Sequence, residues 1–128
     1  MVSLTLEQIL QLHALVLVKD GGADGVRDVG RLEAAVSTQH QVVFGEELYA
    51  TVFAKAAALM RGIIGDHPFA DGNKRTAMLA GLTLLEVNGY NFTAQRGELE
   101  DFAVHVATDH LDIGAIADWL KRHSQICQ

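Results

Sequence analysis

The chain has 128 residues, of which 49% are hydrophobic and 20% charged, a composition typical of a globular protein. Its formal net charge of −6 and its scattered basic residues disfavour a protein that binds nucleic acid by itself, because such proteins cluster Lys and Arg on one face. No apolar stretch approaches the roughly 18 residues of a membrane span, and the amino end lacks the pattern of a signal peptide. The single cysteine, Cys127, excludes an internal disulfide. We therefore expect one domain over residues 1–128, in the cytoplasm and without membrane contact.

Apolar residues recur at intervals of three and four along most of the chain, which predicts helices. In chain order the predicted helices cover residues 4–19, 29–39, 46–65, 74–88, 98–109 and 113–123. Thr5 and Gln8 have capping-box spacing, and Asp28 and Asp112 precede the second and sixth helices as caps. Residues 90–93 alternate, which favours a short strand or an extended turn. The prediction is an all-α bundle of about six helices.

The third and fourth predicted helices form the centre of this bundle. The third is apolar around much of its circumference, and the fourth carries the small residues Ala77, Ala80 and Gly81, which allow close helix contact. Pro68 disfavours the helical conformation at the residue before it, so His67 is expected to be extended.

Residues 67–75, His-Pro-Phe-Ala-Asp-Gly-Asn-Lys-Arg, connect these two helices and concentrate polar chemistry. The first turn of a helix has free N–H groups and a positive dipole end, which together bind anions. Gly72 can adopt a positive φ, Asn73 stands in the same turn, and Lys74 and Arg75 add two cations that suit phosphate. Cations at a helix N-terminus oppose the dipole, a violation that a bound anion would compensate.

The same stretch contains an acid and a base. Asp71 suits Mg²⁺, which is often bound by one or two carboxylates together with phosphate oxygens. His67 can take a proton from a hydroxyl near neutral pH. A base, a metal ligand, a phosphate cradle and a charge stabiliser are the parts of phosphoryl transfer. A polar turn with ordinary capping remains the alternative.

Two other clusters have a functional and a structural interpretation. Residues 25–33 contain Arg27 and Arg31, which fit either surface caps and pairs or a role beside the loop. His105 and Asp109 have the i, i+4 spacing of a metal face, but a single pair of this kind is more typical of a solvated helix surface.

The sequence His-Pro-Phe-Ala-Asp-Gly-Asn-Lys-Arg-Thr resembles the signature HxFx[D/E]GNxR of the Fic/Doc-fold family, and most closely its Doc (death-on-curing) branch. Residues 25–33 and 85–90 are also similar to Doc-like chains, so the resemblance covers nearly the whole chain. It implies that His67 is the general base and that Asp71 is associated with Mg²⁺. Gly72, Asn73 and Arg75 would bind phosphate, with Lys74 as a further catalytic residue.

The resemblance also implies a reaction and its partners. AMP-transferring relatives typically have glycine at the position of Lys74 and a second arginine at the position of Met78. A lysine there accompanies a reversed nucleotide and transfer of the terminal phosphate of ATP to elongation factor Tu. The implied function is a Doc-like toxin kinase that uses ATP and Mg²⁺, arrests translation and is inhibited by a Phd-like antitoxin. AMP transfer and a catalytically silent interaction module are the alternatives.

Overall fold

A computed structural model describes residues 1–127, apart from the side chain of Arg96. Within that range the chain forms six α-helices, which confirms the predicted all-α fold. The helices are α1 (Leu6–Asp20), α2 (Val29–Ser37), α3 (Val52–Asp66), α4 (Asn73–Val87), α5 (Arg96–Asp109) and α6 (Ile113–Arg122). A 3-10 turn covers Thr38–His40, and short strands form the antiparallel pairs β1 (Val42–Val43) with β2 (Glu46–Glu47) and β3 (Tyr90–Phe92) with β4 (Ser124–Ile126).

The helices α3 and α4 lie at the centre, as the sequence predicts. α3 packs against α4 over its length and also contacts α2 and α6. A Cβ atom at Gly81 would lie 2.7 Å from Cγ of Met60, so the absence of a side chain there allows the two helices to approach closely. Leu59, Met60 and Leu84 are fully buried along this contact. The loop of interest therefore connects two helices that are fixed against each other.

The predicted start of the third helix at residue 46 is wrong. Glu46–Glu47 pairs with Val42–Val43 around a two-residue turn, Phe44-Gly45, in which both residues have positive φ angles of 50° and 80°. α3 begins only after Thr51, whose side chain accepts a hydrogen bond from Ala54 N at 3.1 Å. The helical spacing of apolar residues continues upstream of Thr51, but the chain there forms the hairpin, so α3 begins after Thr51.

A buried lysine attaches this hairpin to α3. Lys55 Nζ donates to the carbonyl of Gln39 at 2.7 Å and to Oε1 of Glu47 at 2.9 Å. The hydrogen bond and the positive charge of Lys55 lower the pKa of the Glu47 carboxyl. The hairpin is otherwise exposed, and the side chain of Phe44 is fully exposed.

The carboxyl end contains a strand that the sequence did not predict. The strand β4 pairs with β3, and Cys127 N donates to the carbonyl of Gly89 at 2.8 Å. The described residues at the carboxyl end are therefore attached to the turn after α4. No helix within residues 1–127 is long and apolar enough to cross a membrane.

Candidate active site at the connection between α3 and α4

His67 is the C-cap of α3, and its backbone adopts the left-handed conformation with φ 47° and ψ 57°. The predicted extended conformation is therefore wrong. Pro68 disfavours the right-handed helical region at His67, but the N–H of His67 still donates to Ile63 O at 3.2 Å, which holds the residue on the last turn. The helix thus ends at the histidine, and the imidazole is exposed.

Two arginines bond to the end of α3. Arg27 Nε donates to the carbonyl of His67 at 3.1 Å, and its Nη2 donates to the carbonyl of Asp66 at 3.4 Å. Arg31 Nη1 reaches the same Asp66 carbonyl at 3.2 Å. Both cations lie at the negative end of the helix dipole, where they are favourable. Both interpretations of residues 25–33 are confirmed, because Asp28 caps α2 and pairs with Arg31 at 3.4 Å while Arg27 and Arg31 also lie beside the loop.

The backbone of this segment is also paired with the signature loop. Val26 and Phe69 form an isolated antiparallel bridge, and the carbonyl of Pro68 accepts hydrogen bonds from Arg27 N and Asp28 N at 2.7 and 3.0 Å. Phe69 is buried with 1% exposure, as expected for the anchor of the loop. The path of the chain from His67 to Asp71 is therefore fixed by backbone pairing.

The carboxylate of Asp71 is positioned by the end of α1 and the residues after it. Its Oδ1 accepts from Gly72 N at 2.9 Å and its Oδ2 from Ala23 N at 3.3 Å. A Cβ atom at Gly22 would lie 2.8 Å from Oδ2, so only glycine leaves room for the carboxylate there. Each carboxylate oxygen retains a lone pair after these bonds. Asp71 is exposed and can still bind a cation.

His13 of α1 contacts the same loop through its ring. His13 is buried, and its ring stacks on Phe69 with centroids 3.8 Å apart. Its Nε2 donates to the backbone carbonyl of Asp71 at 2.9 Å. The two residues are 58 positions apart, so no local sequence pattern indicates this hydrogen bond.

The amino end of α4 has the features of an anion site. Gly72 is its N-cap with φ 77° and ψ 18°, and within the described chain no side chain accepts a hydrogen bond from the first turn. The N-caps Thr5, Asp28, Thr51 and Asp112 of other helices do accept such bonds. The first N–H groups of a helix have no intrahelical acceptor. Those of α4 are therefore available to a bound anion.

The side chain of Asn73 bonds to the loop that precedes α4. Its Oδ1 accepts from Phe69 N and its Nδ2 donates to Phe69 O, both at 3.0 Å. Both polar atoms are therefore used to hold the loop. Only the backbone N–H of Asn73 remains for an anion.

Lys74 and Arg75 are exposed and border a groove of about 510 Å³ between α1, α4 and α5. The guanidinium of Arg75 pairs with Asp20, the last residue of α1, with Nη1 and Oδ1 2.7 Å apart. Apolar side chains including Leu15 and Leu82 line the rest of the groove. The sequence did not indicate Asp20, because its contact with Arg75 depends on how α1 packs against α4.

The structure thus brings the predicted residues together on one connection, with His67 at its start and Arg75 at its end. His67 also borders a second cavity of about 330 Å³, beside His110 and Arg61. His105 and Asp109 pair with each other on α5. Within residues 1–127, no group of three or more His, Cys, Asp and Glu side chains could hold a metal ion. Those two residues therefore form a surface pair.

Comparison with known proteins identifies the class. A model of the Fic/DOC family matches residues 3–85, and the chain belongs to that family. Two curated relatives belong to its Doc branch. One is "Toxin Doc" of Mycolicibacterium smegmatis, which is 40% identical over 99 residues, 76% of each chain. The other is "Protein kinase doc" of Escherichia phage P1, which is 33% identical over 116 residues, 91% of this chain and 90% of that one.

Proposed function

We propose that this protein is a cytoplasmic Doc-like toxin that transfers the terminal phosphate of ATP to a hydroxyl of a translation factor. The observation that carries the proposal is the composition of one loop. An uncapped helix start, two exposed cations, a carboxylate and an exposed imidazole all lie between His67 and Arg75. The names of the two relatives, one a toxin and one a protein kinase, support the same reading.

In the proposed reaction, His67 accepts the proton of the acceptor hydroxyl, whose oxygen then forms a bond to the γ-phosphorus. The bond from that phosphorus to the bridging oxygen of ADP breaks, and ADP leaves with the electron pair. The N–H groups at the start of α4 and the guanidinium of Arg75 stabilise the charge on the transferred group. Lys74 adds a second positive charge on the nucleotide phosphates.

Asp71 is the residue that would hold Mg²⁺. The fit rests on its exposed carboxylate, which has free lone pairs although backbone N–H groups fix its orientation. A single carboxylate matches the way Mg²⁺ is bound together with substrate phosphates. The ion would screen the charge of those phosphates when it binds. His13 and Gly22 serve this function indirectly, because they fix the backbone and the space around Asp71.

The proposal includes an antitoxin as partner and elongation factor Tu as target. The groove beside Arg75 combines apolar side chains with the cations Lys19, Lys74 and Arg75 and the carboxylates Asp20 and Glu100. Because cations outnumber carboxylates there, a segment with apolar and acidic residues would complement the groove. By covering Lys74 and Arg75 it would block the phosphate site and inhibit the toxin.

Transfer of AMP is the second candidate, because the loop chemistry would bind either end of a triphosphate. Lys74 favours phosphate transfer, since it puts a charged side chain where AMP-transferring relatives typically have glycine. Met78 at the position of their second arginine is apolar and 4% exposed, so it offers no donor to a phosphate.

The deciding experiment incubates the purified protein with MgATP and elongation factor Tu and measures the mass of the target. We expect the mass of one phosphoryl group to be added. Addition of AMP would establish the second candidate, and an unchanged target under conditions where ATP is bound would overturn both.

Substitutions test the proposed roles of His67 and Arg75. We expect His67→Ala to lower the transfer rate by about 10²- to 10⁴-fold, the usual contribution of a general base. The matched control His105→Ala removes an exposed imidazole from α5 and should leave the rate unchanged. Expression toxicity that persists in His67→Ala would instead favour a silent interaction module. Arg75→Ala should weaken nucleotide binding, whereas Arg122→Ala, on the surface of α6, should not.

A further inference from the structure

Asp20 is a charged residue at the site for which the proposed reaction has no use. It ends α1 and contacts the guanidinium of Arg75 across the groove, with Oδ1 and Nη1 2.7 Å apart. Its side chain is 25% exposed, while that of Arg75 is 53% exposed. The pair is thus accessible to water and lies at the edge of the phosphate site.

Both residues are unfavourable for their own helices. A carboxylate in the last turn of α1 lies at the negative end of its dipole, and Arg75 lies at the positive end of α4. The two charges compensate each other when the ends of the helices meet. A bound phosphate would compensate Arg75 in the same way, because both anions offer oxygens to the forked donors of a guanidinium.

We propose that Asp20 sets the nucleotide affinity of the site by competing with phosphate for Arg75. This inference rests on the proposed function, since it concerns the same anion site. In the free protein the Asp20 carboxylate pairs with the Arg75 guanidinium, and a nucleotide phosphate must displace it. An exposed ion pair is weak, so the displacement is possible at modest cost. The Arg75 conformation that binds phosphate is then only partly populated, which lowers the apparent affinity by that fraction.

The negative charge of Asp20 also lowers the nucleotide affinity after the ion pair has opened. The phosphates of ATP carry several negative charges, and Asp20 repels them after it has released Arg75. Asp20→Asn keeps the size of the side chain and removes the charge. We expect this variant to bind MgATP about twofold to fivefold more tightly than the wild type, the range that corresponds to the loss of an exposed charge pair.

The test is isothermal titration calorimetry of the full chain with a MgATP analogue that has a nonhydrolysable β–γ bridge. Asp20→Glu retains the charge and should bind as the wild type does. The matched control Glu7→Gln removes one negative charge from the other end of α1 and should also leave the affinity unchanged.

The inference is overturned if Asp20→Asn binds the analogue no more tightly than the wild type. Weaker binding would mean that Asp20 orients Arg75 productively, which also contradicts competition. An equal gain in Glu7→Gln would show an effect of net charge alone. Failure of the proposed function looks different, because then neither the wild type nor Asp20→Asn would bind the analogue.

Discussion

The two ends of the α3–α4 pair each contain an asparagine that clips a neighbouring segment to the helices. At one end Asn73 exchanges two hydrogen bonds with the backbone of Phe69. At the other end Asn88 accepts from Val2 N at 2.7 Å and donates to Val2 O and Leu84 O at 2.7 and 2.8 Å. The two clips use the same chemistry, but they hold different kinds of structure.

Asn88 fixes the amino-terminal segment against the end of a helix, and no charged group is involved in its contacts. Asn73 fixes a loop beside an uncapped helix start with Lys74 and Arg75. The hydrogen bonds of an asparagine therefore do not by themselves reveal its role. The role depends on which residues the clip positions.

The largest expected difference between the two ends is in catalysis. Asn73→Ala removes both bonds to Phe69, which releases the connection between His67 and Asp71. We expect the transfer rate to fall about 10²-fold, as expected for a displacement of about 1 Å of a reacting group. The free energy of unfolding should fall by about 1–3 kcal/mol, the usual cost of lost hydrogen bonds. Steady-state kinetics and urea unfolding measure the two effects.

Asn88→Ala is the matched control. It should cost a similar free energy of unfolding and leave the transfer rate of the folded protein within about twofold. Equal losses of rate in the two variants would mean that Asn73 acts through global stability and not through the loop.

A smaller effect concerns the hairpin, which lies at the other end of α3 from the site. Lys55 and Asp66 are 11 residues apart, or about 17 Å along the helix. Lys55→Met leaves the buried carbonyl of Gln39 without its donor, so we expect unfolding to become easier by about 1–3 kcal/mol. The transfer rate should not change. Urea unfolding and the mass assay distinguish these outcomes, and a lost rate at retained stability would contradict the separation of the two ends.

Glu47 provides the pH-dependent part of that attachment. Lys55 lowers the pKa of Glu47 from its ordinary value of 4.5, so the pair stabilises the folded chain at pH values above the ordinary pKa. This stabilisation is lost as the pH falls through the lowered, folded-state pKa. Glu47→Gln should therefore unfold more easily than the wild type near neutral pH and equally easily in stronger acid. A difference that persists in acid would refute the assigned cause.

The smallest effect is a gain in stability at the tip of the hairpin. Phe44 has a positive φ of 50° and its side chain is fully exposed, so the strained backbone is not offset by burial. Asparagine tolerates this conformation in two-residue turns, and Phe44→Asn should raise the free energy of unfolding by about 0.5–1 kcal/mol. Thermal unfolding measures the gain. Phe44→Leu is the control, and an equal gain there would indicate an effect of apolar exposure.

The fold could largely be predicted from the sequence, and residues 67–75 could be singled out there as the candidate site. Apolar spacing gave all six helices, and Gly72, which can adopt a positive φ, has a φ of 77° at the start of α4. The hairpin was missed because the apolar spacing of α3 continues upstream through Tyr49, while Gly45 is the main turn signal.

Other features depend on packing between distant segments and leave no local signal. The left-handed conformation of His67 is accompanied by a bond from Arg27, 40 positions away. The pairing of Asp20 with Arg75 joins the ends of two helices, and no periodicity within either helix indicates it. Sequence patterns describe one segment at a time, so contacts of this kind become visible only in the folded chain.

The pairing of residues 25–28 with residues 68–70 has a consequence for the order in which the molecule matures. During synthesis the earlier segment leaves the ribosome more than 40 residues before its partner, so it has no backbone to pair with for that time. The loop that carries His67 therefore reaches its paired form only after residues 68–70 have been made, and a chain that ends before them leaves residues 25–28 without this partner.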